Sequence, residues 1–180
     1  REVFACDRIV KNVSAPWADY VKGVLIQLRQ RGVHFTGFNA AIQSSIPLGA
    51  GLSSSAALEV ATALTIRRLF PFALAPVGLA APPKRDSRGD LPPLSKSDKL
   101  LLAGLCRDAE SEFVGVNCGL LDQISCLFGK TSHLIEIDCQ HLTVDHIPMP
   151  AGVAVIVCDS DVKHALADGA YNVLRQVCES

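Results

Sequence analysis

The segment that most limits how this chain can fold is Pro47-Leu-Gly-Ala-Gly-Leu-Ser-Ser-Ser-Ala-Ala57. Upstream of it, Phe38, Ala40 and Ile42 alternate with polar or small neighbours through Ile46, the period of a strand with one buried face. Downstream, Ala57, Val60, Ala61 and Leu64 follow the helical period. The order is strand, glycine loop, helix N-terminus. Such a connection leaves the backbone N–H groups of the first helical turn without intrahelical partners, aimed at a point where a phosphate can sit. Glycines at 49 and 51 let an anion approach the backbone closely. The competing reading is a plain turn whose serines only cap the helix. Capping needs one hydroxyl, and this segment supplies three at Ser53, Ser54 and Ser55.

Two common nucleotide fingerprints fit poorly. The dinucleotide pattern G-x-G-x-x-G accommodates Gly49 and Gly51, but Ser54 stands where its third glycine belongs, and no acidic residue lies about twenty positions on. Gly129-Lys130-Thr131 imitates the end of a P-loop, yet Ile124 takes the position of its first glycine. That triplet reads instead as the end of a helix followed by a turn.

A second constellation is Gly115-Val-Asn-Cys-Gly-Leu-Leu-Asp-Gln123, in which Asp122 follows a glycine-punctuated turn and opens an otherwise apolar helix. An aspartate there is explained equally by charge complementarity at a helix N-terminus. A kinase acting on a hydroxyl, however, needs an acceptor carboxylate within hydrogen-bond reach of that hydroxyl, and otherwise mainly positioning and charge neutralisation.

The rest of the chain supports a mixed fold. Trp17, Val21, Val24, Leu25 and Leu28 predict an amphipathic helix from Pro16 to Arg31, with Ser14 as its cap and Gly32 as its stop. Residues 71–94 hold six of the ten prolines and a charged run, Lys84 to Asp90, which predicts a mobile surface insertion. Leu102, Leu105, Cys106, Ala109 and Phe113 predict another helix, and Leu121, Ile124 and Phe128 a short one ended by Gly129. His133 to Cys139 and Leu142 to Ile147 read as paired strands, Val153 to Cys158 as a buried strand, and Ala170, Val173, Leu174 and Val177 as a last helix.

Seventeen Lys and Arg against eighteen Asp and Glu, with no basic stripe, make nucleic acid a poor candidate partner. The purest apolar runs, Leu100 to Cys106 and Val153 to Cys158, are too short to span a bilayer, so no membrane association is expected. Seven cysteines with no C-x-x-C pair fit reduced thiols and a cytoplasmic location. Histidines 34, 133, 141, 146 and 164 form no H-x-x-x-H pair and read as structural or surface residues. The chain begins with Arg1, and processing or truncation is the expected origin of that N-terminus.

Taken together and in this order, Pro47 to Ala57 and Gly119-Leu-Leu-Asp-Gln123 resemble the phosphate-binding signature and the catalytic-aspartate segment of the galactokinases, in the GHMP small-molecule kinase superfamily. Pro16-Trp-Ala-Asp-Tyr-Val-Lys-Gly-Val24, the Ile137-Asp-Cys139 strand and the stretch from Asp159 to Asn172 extend the resemblance over nearly the whole chain outside 71–94. The resemblance implies an α+β, two-domain fold with the active site between the domains, residues 1–149 forming the first domain and 150–180 the start of the second. It implies ATP and Mg2+ as cofactors and D-galactose as acceptor, phosphorylated at its anomeric hydroxyl to galactose 1-phosphate. Leu48, Gly49, Ala50, Gly51, Leu52, Ser53, Ser54, Ser55, Ala56 and Ala57 would form the nucleotide phosphate loop, with Trp17 beside the adenine. Ser55 and Glu110 would hold magnesium. Gly119, Asp122 and Tyr171 would contact the sugar, Asp122 also accepting or orienting the acceptor proton.

Two departures qualify this picture. Ala50 stands where most relatives have glycine, which is tolerated if the backbone there avoids the left-handed region. The family's opening sugar-binding segment, with its catalytic arginine, and its C-terminal glycine-rich motif have no counterpart in the 180 residues, which implies a central and by itself inactive portion of such an enzyme. The resemblance also leaves open a non-catalytic sugar and ATP sensor, or a related kinase acting on N-acetylgalactosamine.

Overall fold

Four helices form the platform that carries the glycine loop. The computed structural model describes residues 1–158 and Val177. Helix α1 spans Trp17–Gln30 and buries Val24, Leu25 and Leu28, the face set by its helical spacing. Its N-cap is Pro16, so Ser14 plays no capping role. Helix α2, Ser54–Leu69, buries Ala56, Val60, Ala63 and Ile66 and packs on α1 and on the two helices that follow it. Helix α3, Lys96–Asp108, starts with a capping box: the Ser95 hydroxyl accepts from the Asp98 amide at 3.1 Å, and the Asp98 carboxylate accepts from the Ser95 amide at 3.0 Å. Its Leu102, Leu105 and Cys106 complete the core with Ile124, Leu127 and Phe128 of α4, Leu121–Phe128. Gly129 ends α4, as its sequence predicts, its N–H returning to Ser125 O at 3.0 Å.

Between α3 and α4 the chain makes a π-helical turn, Ala109–Val114, closed by Gly115 in a left-handed conformation. This turn lies directly on α1. A Cβ built on Gly23 would sit 2.9 Å from the Ala109 carbonyl oxygen, so any larger residue would push the two segments apart.

Two antiparallel hairpins flank the helices. β3, His133–Asp138, pairs with β4, Thr143–Pro148, in the register Leu134 to Ile147 and Ile137 to Val144. The alternating burial of β3 and the buried Val144 fix one face inward, and His146 Nε2 lies 2.7 Å from Phe128 O, tying the hairpin to α4. The smaller hairpin joins β1, Ala73–Leu74, to β2, Leu79–Ala80, beside α3. Among the described residues no helix is long and apolar enough to cross a membrane.

Three sequence expectations are corrected. Residues 38–46 form no strand, although Phe38 packs on the core; among the described residues no neighbouring strand runs beside them to satisfy their backbone, and Ile42 is exposed. Val153 to Cys158 is likewise neither a strand nor buried, with Ile156 82% exposed. The 71–94 segment is not a mere surface insertion. Phe72 and Leu74 are in the core, and Arg68 binds Asp90 at 2.6 Å, which pins the charged turn to the end of α2. Proline content hid two apolar anchors. The last helix expected around Ala170 to Leu174 lies outside the described residues.

Candidate functional site

The first turn of α2 is left uncapped. Ser53, the N-cap residue, adopts a left-handed backbone with φ 56°, and no serine side chain caps the helix. This excludes the capping reading of the triple serine. Gly49 and Gly51 are also left-handed, at φ 74° and 70°, and no atom lies within 4 Å of the position a Cβ would take on either. Conformation, not crowding, demands glycine here, and the space beside the loop stays open to a ligand. Ala50 is not in the left-handed region, which explains how it replaces a glycine without strain.

The open space is a cleft of about 360 Å3. Gly49, Gly51 and Leu52 to Ser55 line it together with Glu110, Val116, Cys118, Gly119, Leu121 and Asp122. The π-helical turn delivers Glu110 and the first turn of α4 delivers Asp122. π-turns recur at functional sites because the extra residue re-aims side chains that a regular helix would direct elsewhere. The two constellations singled out in the sequence, some seventy residues apart, thus line one cleft.

Behind the cleft lies a buried polar cluster. Gln123 Nε2 donates to Glu110 Oε2 at 3.0 Å and to Glu59 Oε2 at 3.2 Å. Cys118 Sγ donates to Glu110 Oε2 at 3.1 Å, and the Ser55 hydroxyl also hydrogen-bonds this carboxylate. Glu59 and Gln123 are wholly buried and Glu110 nearly so. Burial, reinforced by the charge of Glu110, pushes the Glu59 carboxyl up to about 9. Burial also raises Glu110, against the opposing hydrogen bonds from Cys118, Ser55 and Gln123. The Cys118 thiol is pushed up to about 12, first by burial and then by Glu110. Tyr20 on α1 also rises to about 12, by burial and then by the charges of Glu110 and Glu59, which places it beside the same cluster.

A divalent cation fits the front of this cluster. Ser55 and Glu110 offer a hydroxyl and a carboxylate, hard oxygen donors in contact with each other on the cleft wall. Magnesium is commonly held by one or two protein oxygens, with substrate phosphates and water completing its shell. Among the described residues no group of three or more His, Cys, Asp or Glu could hold a metal by protein ligands alone.

The structure brings Gly49, Gly51, Leu52, Ser53, Ser54, Ser55, Glu110, Gly119 and Asp122 to one cleft. Leu48, Ala50, Ala56 and Ala57 do not line it; Leu48 points to solvent and Ala56 is in the core. Trp17, 46% exposed at the start of α1, is also outside the lining. Tyr171 lies outside the described residues. Sequence reasoning missed Glu59, Gln123 and Cys118. A signal existed for the first two, since Glu59 falls within the buried stripe Ala56, Val60, Ala63 and Gln123 beside the buried Ile124 and Leu127. A polar residue in an apolar stripe announces a partner.

The cleft joins a glycine loop at an uncapped helix N-terminus to the carboxylate-bearing segment of Asp122, and residues 19–82 match the family described as GHMP kinases N terminal domain. The chain is also similar in sequence to galactokinases. It is 40% identical over 179 residues to galactokinase from Roseiflexus sp. (strain RS-1), covering 99% of the chain and 40% of that protein. It is 39% identical over 164 residues to galactokinase from Thermotoga maritima, covering 91% of the chain and again 40% of the relative. The crystal structure of Lactococcus lactis galactokinase complexed with galactose superposes with a TM-score of 0.65 at 28% identity, over 93% of this chain and 37% of that one. The chain spans about two fifths of the length of the relatives it matches.

Proposed function

We propose that this chain carries the nucleotide loop and the acceptor carboxylate of a cytoplasmic galactokinase, which transfers the γ-phosphoryl group of ATP to the anomeric hydroxyl of D-galactose. The observation that carries the reading is that the glycine loop and Asp122 line one cleft. In this reading residues 1–149 belong to the first domain and 150–180 open the second. The N–H groups at the start of α2 receive the phosphates, whose charge the helix N-terminus favours. Trp17 flanks the adenine, and Gly119 and Tyr171 contact the sugar. Ser55 and Glu110 hold magnesium, which when bound neutralises charge on the phosphate oxygens. Asp122 holds the acceptor hydroxyl by a hydrogen bond and takes or orients its proton as the oxygen attacks phosphorus. Leaving the open cleft wall to Gly49 and Gly51 lets the phosphates settle against backbone.

The test is Asp122→Asn in the protein as its gene encodes it. The change keeps size and removes charge. Galactose-dependent ADP release should fall by at least ~100-fold while ATP still binds, the lower range for a lost general base. Normal turnover would reduce Asp122 to a helix-terminal charge.

A further inference from the structure

Glu110 is held from behind by more than its own backbone. Its Oε2 already accepts from two donors, Gln123 Nε2 at 3.0 Å and Cys118 Sγ at 3.1 Å. An oxygen so occupied is a poor cation ligand, which leaves that role to the other oxygen of the carboxylate, beside the Ser55 hydroxyl that also hydrogen-bonds it. Gln123 in turn is not free to rotate, because the same amide nitrogen donates to Glu59 Oε2 at 3.2 Å. Glu59 comes from α2, Glu110 from the π-helical turn and Gln123 from α4, so one amide ties together the three segments that build the cleft. Neither Glu59 nor Gln123 lines the cleft, and each is fully buried. A buried primary amide bridging two carboxylates is a costly arrangement for stability alone, since apolar side chains of similar volume would fill the space without orphaned acceptors. Glu59 Oε1 and Gln123 Oε1 are indeed buried without a hydrogen-bond partner.

We propose that Gln123, anchored on Glu59, is a positioning residue for Glu110: it fixes which carboxylate oxygen and which orientation the cleft presents to the divalent cation that accompanies the nucleotide. The proposal rests on the reading of the cleft as a metal–nucleotide site. Partners of this kind, which hold a ligand without touching the metal, typically change metal affinity by 10- to 100-fold when removed. Glu59 acts at one further remove, through the acceptor oxygen it offers to the Gln123 amide.

The experiment measures ATP affinity by calorimetry with Mn2+ present and with metal removed by chelation, in the protein as its gene encodes it. The ratio of the two affinities is the readout. A merely structural role would lower both affinities together and leave the ratio alone. Gln123→Met keeps length and removes the amide; the ratio should fall by about 10-fold or more while metal-free ATP affinity stays within about 3-fold. Glu59→Gln preserves an acceptor for the amide and should keep most of the ratio, whereas Glu59→Leu should lose it as Gln123→Met does. Should Gln123→Met fail to fold, Glu59→Leu combined with Gln123→Met replaces the whole pair by apolar groups and must show the same loss. A full ratio in folded Gln123→Met or in the double variant overturns the proposal. Loss of the ratio in Glu59→Gln overturns the anchoring role of Glu59. If the unaltered protein binds ATP with no Mn2+ enhancement, the proposal falls alone; if it binds no ATP at all, the reading of the cleft falls with it.

Discussion

Glu59→Gln should make the protein more stable relative to its parent, increasingly so as pH rises. Glu59 is wholly buried on α2, and burial together with the charge of Glu110 raises its carboxyl to about 9. In the unfolded chain the same group titrates near ~4.3. Between these two values the folded protein holds a proton that the unfolded chain has released. Stability therefore falls with rising pH across this window, by about 1.4 kcal/mol per unit for one group. It is undiminished below the unfolded value and levels off above about 9. Glutamine keeps the shape and does not titrate. From pH 6 to pH 8 the stability difference between variant and parent should widen by roughly 3 kcal/mol. At roughly 2–4 °C per kcal/mol for a domain of this size, the gap in melting temperature should widen by about 6–12 °C. Thermal melts of both proteins at pH 6, 7 and 8 provide the measurement. Melting curves that shift in parallel, with a constant gap, would show that Glu59 is ionised in the folded protein and refute the argument.

Gly51→Val places a β-branched residue at φ 70°, a region that costs non-glycine residues roughly 1–3 kcal/mol, so the loop should move and ATP affinity fall by about 10-fold in calorimetry; unchanged affinity would remove the loop from the site. Cys118, pushed up to about 12 beside Glu110, has almost no thiolate at pH 8, so iodoacetamide followed by mass spectrometry should modify the exposed Cys139 well before it; equal labelling would contradict the part-buried hydrogen bond to Glu110.

The helices were legible because their signals are local. The stripe Val24, Leu25, Leu28 and the stop at Gly129 each act within a turn or two, and α1, α4 and the β3–β4 pair appear close to where spacing places them, although the cap expected at Ser14 is taken by Pro16. The strand expected at 38–46 did not appear, because alternation describes a face and cannot supply the neighbour whose N–H and C=O groups a strand needs. Phe72 and Leu74 were masked by prolines on either side, since composition averages over a segment and burial is decided residue by residue. The site divides the same way. Gly49, Gly51 and Asp122 stand out because glycine pattern and an isolated carboxylate show in one dimension. Glu59 and Gln123 show in the sequence only as polar residues within apolar stripes, and their shared partner appears only where three segments converge on one amide.

The π-helical turn at Ala109–Val114 has a consequence for how this segment tolerates change in length. Geometrically it is an α-helix carrying one residue too many, so side chains before and after it are out of phase by about 100°. Ala109 and Glu110, neighbours in sequence, are both buried, the first against Gly23 of α1 and the second at the cleft. Deleting one residue from the turn would let α3 run on as a regular helix, a locally favourable repair. The repaired helix could keep Asp108 on Arg31, the residue that follows α1, where they pair at 2.7 Å, or keep Glu110 beside Ser55, but not both. Length in this one turn is therefore fixed by the need to serve two faces at once, and single-residue gaps here should be far less tolerated than conservative substitutions.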